Sequence, residues 1–109
     1  MAKRAALGEF EHLVLATALR VKDGYGAELM RELEERTGRQ VQGGSLYVTI
    51  DRLERKGFVV TRLNDPTESR AGRPKRYVEV TAAGVQALAE QREALLRAWR
   101  GIEQTLDQV

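Results

Sequence analysis

The sequence predicts a mainly α domain with a small β hairpin, continued by a long C-terminal helix. Two observations predict the domain. First, the stretch Gly43-Gly44-Ser45-Leu46-Tyr47-Val48-Thr49-Ile50-Asp51-Arg52-Leu53-Glu54-Arg55-Lys56-Gly57 carries Leu46, Ile50 and Leu53 at i, i+4 and i+7. That spacing makes one apolar stripe of a helix. The other face holds Ser45, Tyr47, Thr49, Arg52 and Lys56, and a hydroxyl-and-cation face suits a major groove. Second, this helix runs into the strand-like segment Phe58–Leu63, then a loop of Arg, Gly and Pro, then the strand-like run Arg76-Tyr77-Val78-Glu79-Val80. A helix followed by a basic hairpin is the plan of a winged helix-turn-helix. Residues 1–80 are read as that DNA-binding domain, and residues 81–109 as a C-terminal dimerisation helix.

The elements follow in order. Helix one is expected from about Gly8 to Val21. Its segment Leu13-Val14-Leu15-Ala16-Thr17-Ala18-Leu19 is apolar almost all round, and such a helix is buried on every side. So small a domain can hardly surround it, which implies contact with a second chain. Lys22-Asp23-Gly24 is a turn. Helix two runs to about Arg36, with Leu29, Met30 and Leu33 inward and Glu28, Glu32, Glu34 and Glu35 outward. Gly38 suits its C-terminal cap. The recognition helix starts at Gly43-Gly44-Ser45, with Gly44 or Ser45 near the N-cap. Thr81 caps the last helix, expected from Ala82 to about Asp107.

That last helix has a seam. With Val85 at heptad position a, the a positions read Val85, Arg92, Trp99 and Leu106, and the d positions read Leu88, Leu95, Ile102 and Val109. Seven of the eight are apolar, which argues for a coiled-coil-like contact. Such a helix would be about 40 Å long, more than the core can cover. The other reading is an amphipathic helix folded back on its own domain. Both hold together if its N-terminal half touches the core and its C-terminal half pairs with a partner. The expected dimer interface is Phe10, Leu13, Leu88, Leu95, Trp99, Ile102 and Leu106. Trp99 is either an aromatic platform for a planar effector or an interface anchor.

Composition narrows the function classes. The chain has 109 residues and a formal net charge of +2. From Arg36 to Arg76 there are ten Arg/Lys and four Asp/Glu, a net of +6, inside an otherwise slightly acidic chain. A basic segment of that kind points to a polyanion. There is no Cys, hence no disulfide and no thiolate metal site. No apolar run reaches the roughly 18 residues of a membrane span, and no signal peptide is visible. Gly38-x4-Gly43-Gly44-Ser45 lacks the Lys of a phosphate-binding loop. His12 is the lone His, short of the three or four ligands a metal needs. No nucleophile, base and orienting group fall together, so no enzyme, metal or cofactor is expected.

Certain residues stand in order. Leu7-Gly8-Glu9-Phe10-Glu11 and Tyr25-Gly26 come first. Gly44-Ser45-Leu46-Tyr47 follows, with Arg52-Leu53-Glu54-Arg55-Lys56-Gly57 close behind. Gly72-Arg73-Pro74-Lys75-Arg76-Tyr77 and Thr81-Ala82-Ala83-Gly84 complete the set. In this order and spacing the chain resembles the PadR family of bacterial transcriptional regulators, in a short form with one C-terminal helix. It departs from the pattern at Val48, where the family often has Pro, and at Val78, where a second aromatic is frequent. The resemblance implies a cytoplasmic homodimer that represses transcription at a palindromic operator. It also implies a small apolar effector between the subunits in some members.

The expected contacts to double-stranded DNA are Tyr25, Ser45, Tyr47, Thr49, Arg52, Lys56, Arg73, Lys75 and Arg76. Arg73, Lys75 and Arg76 either reach phosphates or a minor groove, or serve as a charged edge. Tyr47 either donates to phosphate or packs beneath the hairpin, and Tyr25 has the same two readings. The competing function is a winged-helix protein-interaction module that does not bind DNA.

Overall fold

The computed structural model describes residues 6–22, 24–64 and 75–109. Helix α1 spans Glu9–Val21, strand β1 Gly24–Tyr25, helix α2 Gly26–Thr37 and helix α3 Gly43–Arg55. Strands β2 (Val59–Leu63) and β3 (Arg76–Val80) form the hairpin, and helices α4 (Ala82–Trp99) and α5 (Glu103–Asp107) follow. The sheet has the order β1-β3-β2, antiparallel throughout. The fold is a winged helix-turn-helix, as the helix-plus-hairpin plan predicts.

Periodicity fixes the core. Leu46, Ile50 and Leu53 of α3 are fully buried, with Val14, Leu15 and Ala18 of α1 and Leu29 and Leu33 of α2. Val59 and Val78 close the layer from the sheet, and Phe58 fills the turn between α3 and β2. Burying each large aliphatic side chain contributes about 1.5–3 kcal/mol. Gly38 ends α2 in the left-handed region at φ 72°, where the absence of a Cβ removes the steric cost. Helix α1 is less enclosed than its composition implies, since Leu19 is exposed.

Strand β1 is absent from the sequence-based expectation. Two residues show no period, and only pairing with β3 (Gly24 with Val78, Tyr25 with Tyr77) makes them a strand.

The start of α4 is tied to the core at one point. The Thr81 hydroxyl accepts from the Gly84 N–H at 3.1 Å and donates to the Gly57 carbonyl at 2.7 Å. The Thr81 N–H donates to the Phe58 carbonyl at 3.0 Å. Gly84 sits against that same carbonyl so closely that a Cβ would overlap its oxygen and the Val80 side chain.

The C-terminal helix departs from expectation. It breaks after Trp99, and Gly101 takes φ 95° before the short α5. The Gly101 N–H donates to the Glu103 carboxylate at 2.7 Å, and the Ile102 N–H to the Trp99 carbonyl at 2.9 Å. The predicted unbroken helix to Asp107, with its four-heptad seam, is therefore corrected. Val85, Leu88, Arg92, Leu95 and Trp99 share α4, whereas Ile102, Leu106 and Val109 lie beyond the break.

Gly84→Ala is expected to lower stability by about 1–3 kcal/mol, because the Phe58 backbone cannot yield without shifting the turn. Gly44→Ala, where a Cβ meets nothing within 4 Å, is expected to raise it by about 0.4–1 kcal/mol. Chemical denaturation of the two variants checks this. Equal melting behaviour would refute the close approach at Gly84.

Candidate nucleic-acid interface

Helix α3 divides cleanly. Its buried stripe holds it against α1 and α2, and Gly44, Ser45, Val48, Arg52 and Arg55 face outward. Its N-cap is Gln42, which supplies no side-chain hydrogen bond, so the first-turn N–H groups point at solvent. A Cβ at Gly43 or Gly44 would stand in open space. Nothing inside the domain calls for glycine there, and a bare backbone lets a bulky neighbour approach closely.

Thr49 does not share that face. It is 5 % exposed, and its hydroxyl donates to the Ser45 carbonyl at 2.8 Å. Its placement on the outward face is corrected: a residue four after Ser45 and one before Ile50 falls at the edge of the buried stripe. Lys56 is corrected too. Its ammonium donates to both Glu11 carboxylate oxygens at 2.8 and 2.9 Å and to the Ala6 carbonyl at 2.7 Å. It clamps the end of α3 to the start of α1.

Arg76 is likewise engaged. It pairs with Asp51 at 2.7 Å and Glu54 at 3.4 Å. Glu54 also accepts from the Thr61 N–H and hydroxyl. These bonds fix the wing against α3 and neutralise Arg76 locally. Arg73 lies outside the described residues.

Tyr47 stands on α3 with its ring end over Gly26, where a Cβ would overlap the phenol oxygen. It packs on the start of α2, not beneath the hairpin, and remains exposed. Tyr25, next to Gly26 in sequence, is half-buried. Its ring meets Tyr77 edge-on at 6.1 Å, and the Lys75 ammonium lies 4.3 Å above its face. Arg62 lies 4.4 Å above Tyr77. Sequence reasoning missed Arg62. Its position opposite Tyr77 in the hairpin register was the signal that could have found it.

Four cations of the α3 and wing surface, Arg52, Arg55, Arg62 and Lys75, make no ion pair among the described residues. Other cations are matched: Arg39 with Glu9, Arg36 with Glu32, Lys56 with Glu11, Arg76 with Asp51.

Glu11 is the perturbed acid. Burial pushes its carboxyl upward, but the hydrogen bonds from Lys56 and the Gly8 N–H, with the charges of Lys56 and Arg52, outweigh this. The carboxyl is held below its ordinary value.

The residues assigned to a dimer seam fall into two groups. Phe10 and Leu13 are half-buried against the core. Phe10 faces the start of α3, near Ser45 and Arg52, away from the α4 side of α1. Leu88 also packs on the core. Leu95 (40 % exposed), Trp99 (43 %), Ile102 (48 %) and Leu106 (47 %) are open. Between α1 and α4 runs a groove of about 700 Å³ lined by Ala16, Leu19, Val85, Leu88 and Arg92 among others. Trp99 lies two turns beyond Arg92. His12 meets the Gln91 amide oxygen, and Gln91 donates to the Leu7 carbonyl at 2.8 Å, so this His joins α1 to α4. Among the described residues, no group of three or more His, Cys, Asp or Glu could hold a metal ion. No described helix is long and apolar enough to cross a membrane.

An exposed helix with an open N-terminus, beside a wing with unmatched cations, defines a winged-helix DNA-binding regulator. The family model "Transcriptional regulator PadR-like family" matches residues 14–90, and the chain belongs to that family of transcription regulators, which are not enzymes. Transcriptional regulator Rv3488 of Mycobacterium tuberculosis is 42 % identical over 73 residues, 65 % of this chain and 62 % of that protein. A PadR family transcription regulator from Clostridium difficile R20291 is similar in structure, with TM-score 0.68 and 25 % identity over 93 % of this chain and 97 % of that one. The complex structure of hsRosR-S4 gives TM-score 0.68 at 29 % identity, covering 87 % and 76 %.

Glu11→Gln is expected to destabilise the fold by about 1–3 kcal/mol near neutral pH, since Lys56 loses its charged partner. Glu11 ionises more readily folded than unfolded, so its contribution is full above about pH 4.3 and is lost as pH falls through its lower folded value. Denaturation measured from pH 7 downward should therefore show a shallower acid decline in the variant. Parallel declines would refute the assignment.

Proposed function

We propose that this chain is a homodimeric repressor that reads a palindromic operator with α3 and steadies itself on the phosphate backbone with the wing. The observation that carries the reading is the outward strip of α3. Ser45, Arg52 and Arg55 stand exposed on one side of a helix whose opposite side is locked in the core. Ser45 and Arg52 specify bases. Arg is the commonest specific reader of guanine, through a bidentate contact. Tyr47 and Lys75 carry affinity, because phosphate contacts hold no sequence information, and Tyr25 supports Lys75 from below. Thr49, Lys56 and Arg76 support the helix and wing from inside.

The dimer reading rests on the exposed apolar run of α4 and α5. Leu95, Leu96 and Trp99 on α4, with Ile102 and Leu106 beyond the turn, make an apolar surface in two patches that the domain leaves uncovered, and such surfaces mark interaction sites. A second copy buries it, with Trp99 as the anchor. A small apolar effector bound between the subunits would meet Trp99 there. Each subunit then reads one half-site, with centres about one helical turn, or a multiple of it, apart.

An electrophoretic shift with the chain's own upstream region, at two salt concentrations, tests the reading. Absence of a shift at the lower salt would move weight to the protein-interaction alternative. Arg52→Ala is expected to cost about 1–3 kcal/mol and to relax preference at one base pair, whereas Thr49→Ser leaves preference intact. Unchanged binding by Arg52→Ala would remove α3 as the reading helix.

Leu95→Glu is expected to give folded monomers, because the charge is harmless on an open face but costly once buried without a partner. Sedimentation at tens of micromolar, roughly the range that tests a micromolar dimer, separates the two states. A wild-type chain that sediments as a monomer there would refute the dimer.

A further inference from the structure

Tyr25, Tyr77 and Arg62 stand in one row across the sheet. Tyr77 is the register partner of Tyr25 on one side and of Arg62 on the other. Directly opposed residues project from the same face, so all three leave the sheet on its outer side. The inner side carries the buried Gly24, Val78 and Val59. Lys75 precedes Tyr77 by two residues and brings its ammonium over Tyr25 at 4.3 Å. The Arg62 guanidinium lies 4.4 Å from the Tyr77 centroid, and the two rings meet at 70°. The sequence of groups is cation, ring, ring, cation.

Neither cation makes an ion pair among the described residues, although Arg76, one position away on the inner side, binds two carboxylates. Among the described residues of β2 and β3, the acid of the outer face is Glu79. It stands opposite Val60, two register pairs beyond Tyr77 on the side away from the hairpin tip.

We propose that this row is a preset clamp for the DNA backbone, with Arg62 and Lys75 as phosphate contacts and Tyr77 and Tyr25 as the residues that position them. It rests on the DNA-binding reading above. A ring face attracts a cation electrostatically and restricts a long side chain that would otherwise sample many rotamers. Unlike a carboxylate, the ring leaves the net charge in place. Arginine suits the arrangement, because its guanidinium stacks by its face and donates N–H groups at its edge. Contact with the ring and contact with a phosphate are therefore compatible. The ordering of both side chains is already met in the free protein. The clamp also has a fixed position relative to α3, since Thr61 and Arg76 on the inner face are bonded to Glu54 and Asp51 of that helix. A preset backbone contact at a fixed offset from the reading helix sets the register in which α3 meets the bases.

The test measures affinity by fluorescence anisotropy between 50 and 200 mM salt. It uses the chain's own upstream DNA and a random duplex of equal length. Arg62→Gln and Lys75→Gln are each expected to reduce the slope of log K against log salt by about one per subunit, alike on both duplexes. Tyr77→Leu keeps every charge and is expected to weaken binding about two- to five-fold, with Tyr77→Phe restoring it. Thermal melts accompany each variant: a tyrosine with only a structural role would lower Tm and leave the affinity and slope of the folded protein unchanged. Arg62 and Lys75 are exposed, so their variants decide the matter even where Tyr77→Leu fails to fold. Wild-type slopes in both glutamine variants overturn the clamp and leave the DNA-binding reading standing. Failure of the wild-type chain to bind either duplex overturns both.

Discussion

The burial of Leu46, Ile50 and Leu53 is the constraint on which the rest depends. Three side chains at helical spacing lock one side of α3 between α1 and α2, so the opposite side is presented at a fixed angle. Close-packed interiors do not yield continuously, and a one-residue rotation of α3 would drive Arg52 toward the core and Leu53 toward water. The outward strip is thus oriented first by packing on the opposite side of the helix, and the Lys56–Glu11 pair adds a clamp at the helix end. Val59 and Val78 extend the same layer into the sheet, which sets the wing's position from the same core.

Charge on this surface follows a division of labour. Cations near carboxylates act within the fold: Lys56 joins α3 to α1 through Glu11, and Arg76 joins the wing to α3 through Asp51 and Glu54. Cations on the outer strip and outer sheet face have no such partner among the described residues. A surface ion pair is worth about 0–1 kcal/mol, but its larger consequence here is cancellation of field. The +6 of the segment from Arg36 to Arg76 is therefore not spread evenly. Among the described residues of that segment, the cations without an ion-pair partner are Arg52, Arg55, Arg62 and Lys75.

Much of this was legible in the sequence. The helices, the hairpin, the Thr81 cap and the buried stripe each follow from local signals of period, capping and turn chemistry, and those signals are strong in elements of 12–18 residues. What was not legible depends mostly on distant partners, the turn at Gly101 and the back-bond of Thr49 being local exceptions. Strand β1 exists only because β3 lies beside it. Lys56 and Arg76 read as exposed cations because Glu11 is 45 residues from the first and Asp51 25 from the second. Thr49 was misplaced because a hydroxyl that back-bonds to its own helix tolerates burial that its polarity argues against. Arg62 went unnoticed because its ring partner sits on another strand.

The break at Gly101 changes what the C-terminal segment can be. A straight helix drifts about 20° per heptad against an exact seven-residue repeat, so a seam of four heptads must supercoil to keep its partner. Helix α4 is 18 residues long, about 27 Å, and the drift over so short a length is small enough for a straight contact. Gly101 then turns the chain through a backbone region that other residues rarely enter, and Ile102 and Leu106 resume as the N-cap and a residue of a separate short helix. Arg92 reads as a fault in a continuous seam. On the shorter α4 it instead borders the groove between α1 and α4, where its charge can stay in water while its stem lies along apolar surface. The same apolar residues that suggested one long coil thus form two patches, one on α4 and one beyond the turn. A second subunit meeting them would be held by the angle between α4 and α5 as well as by the apolar area.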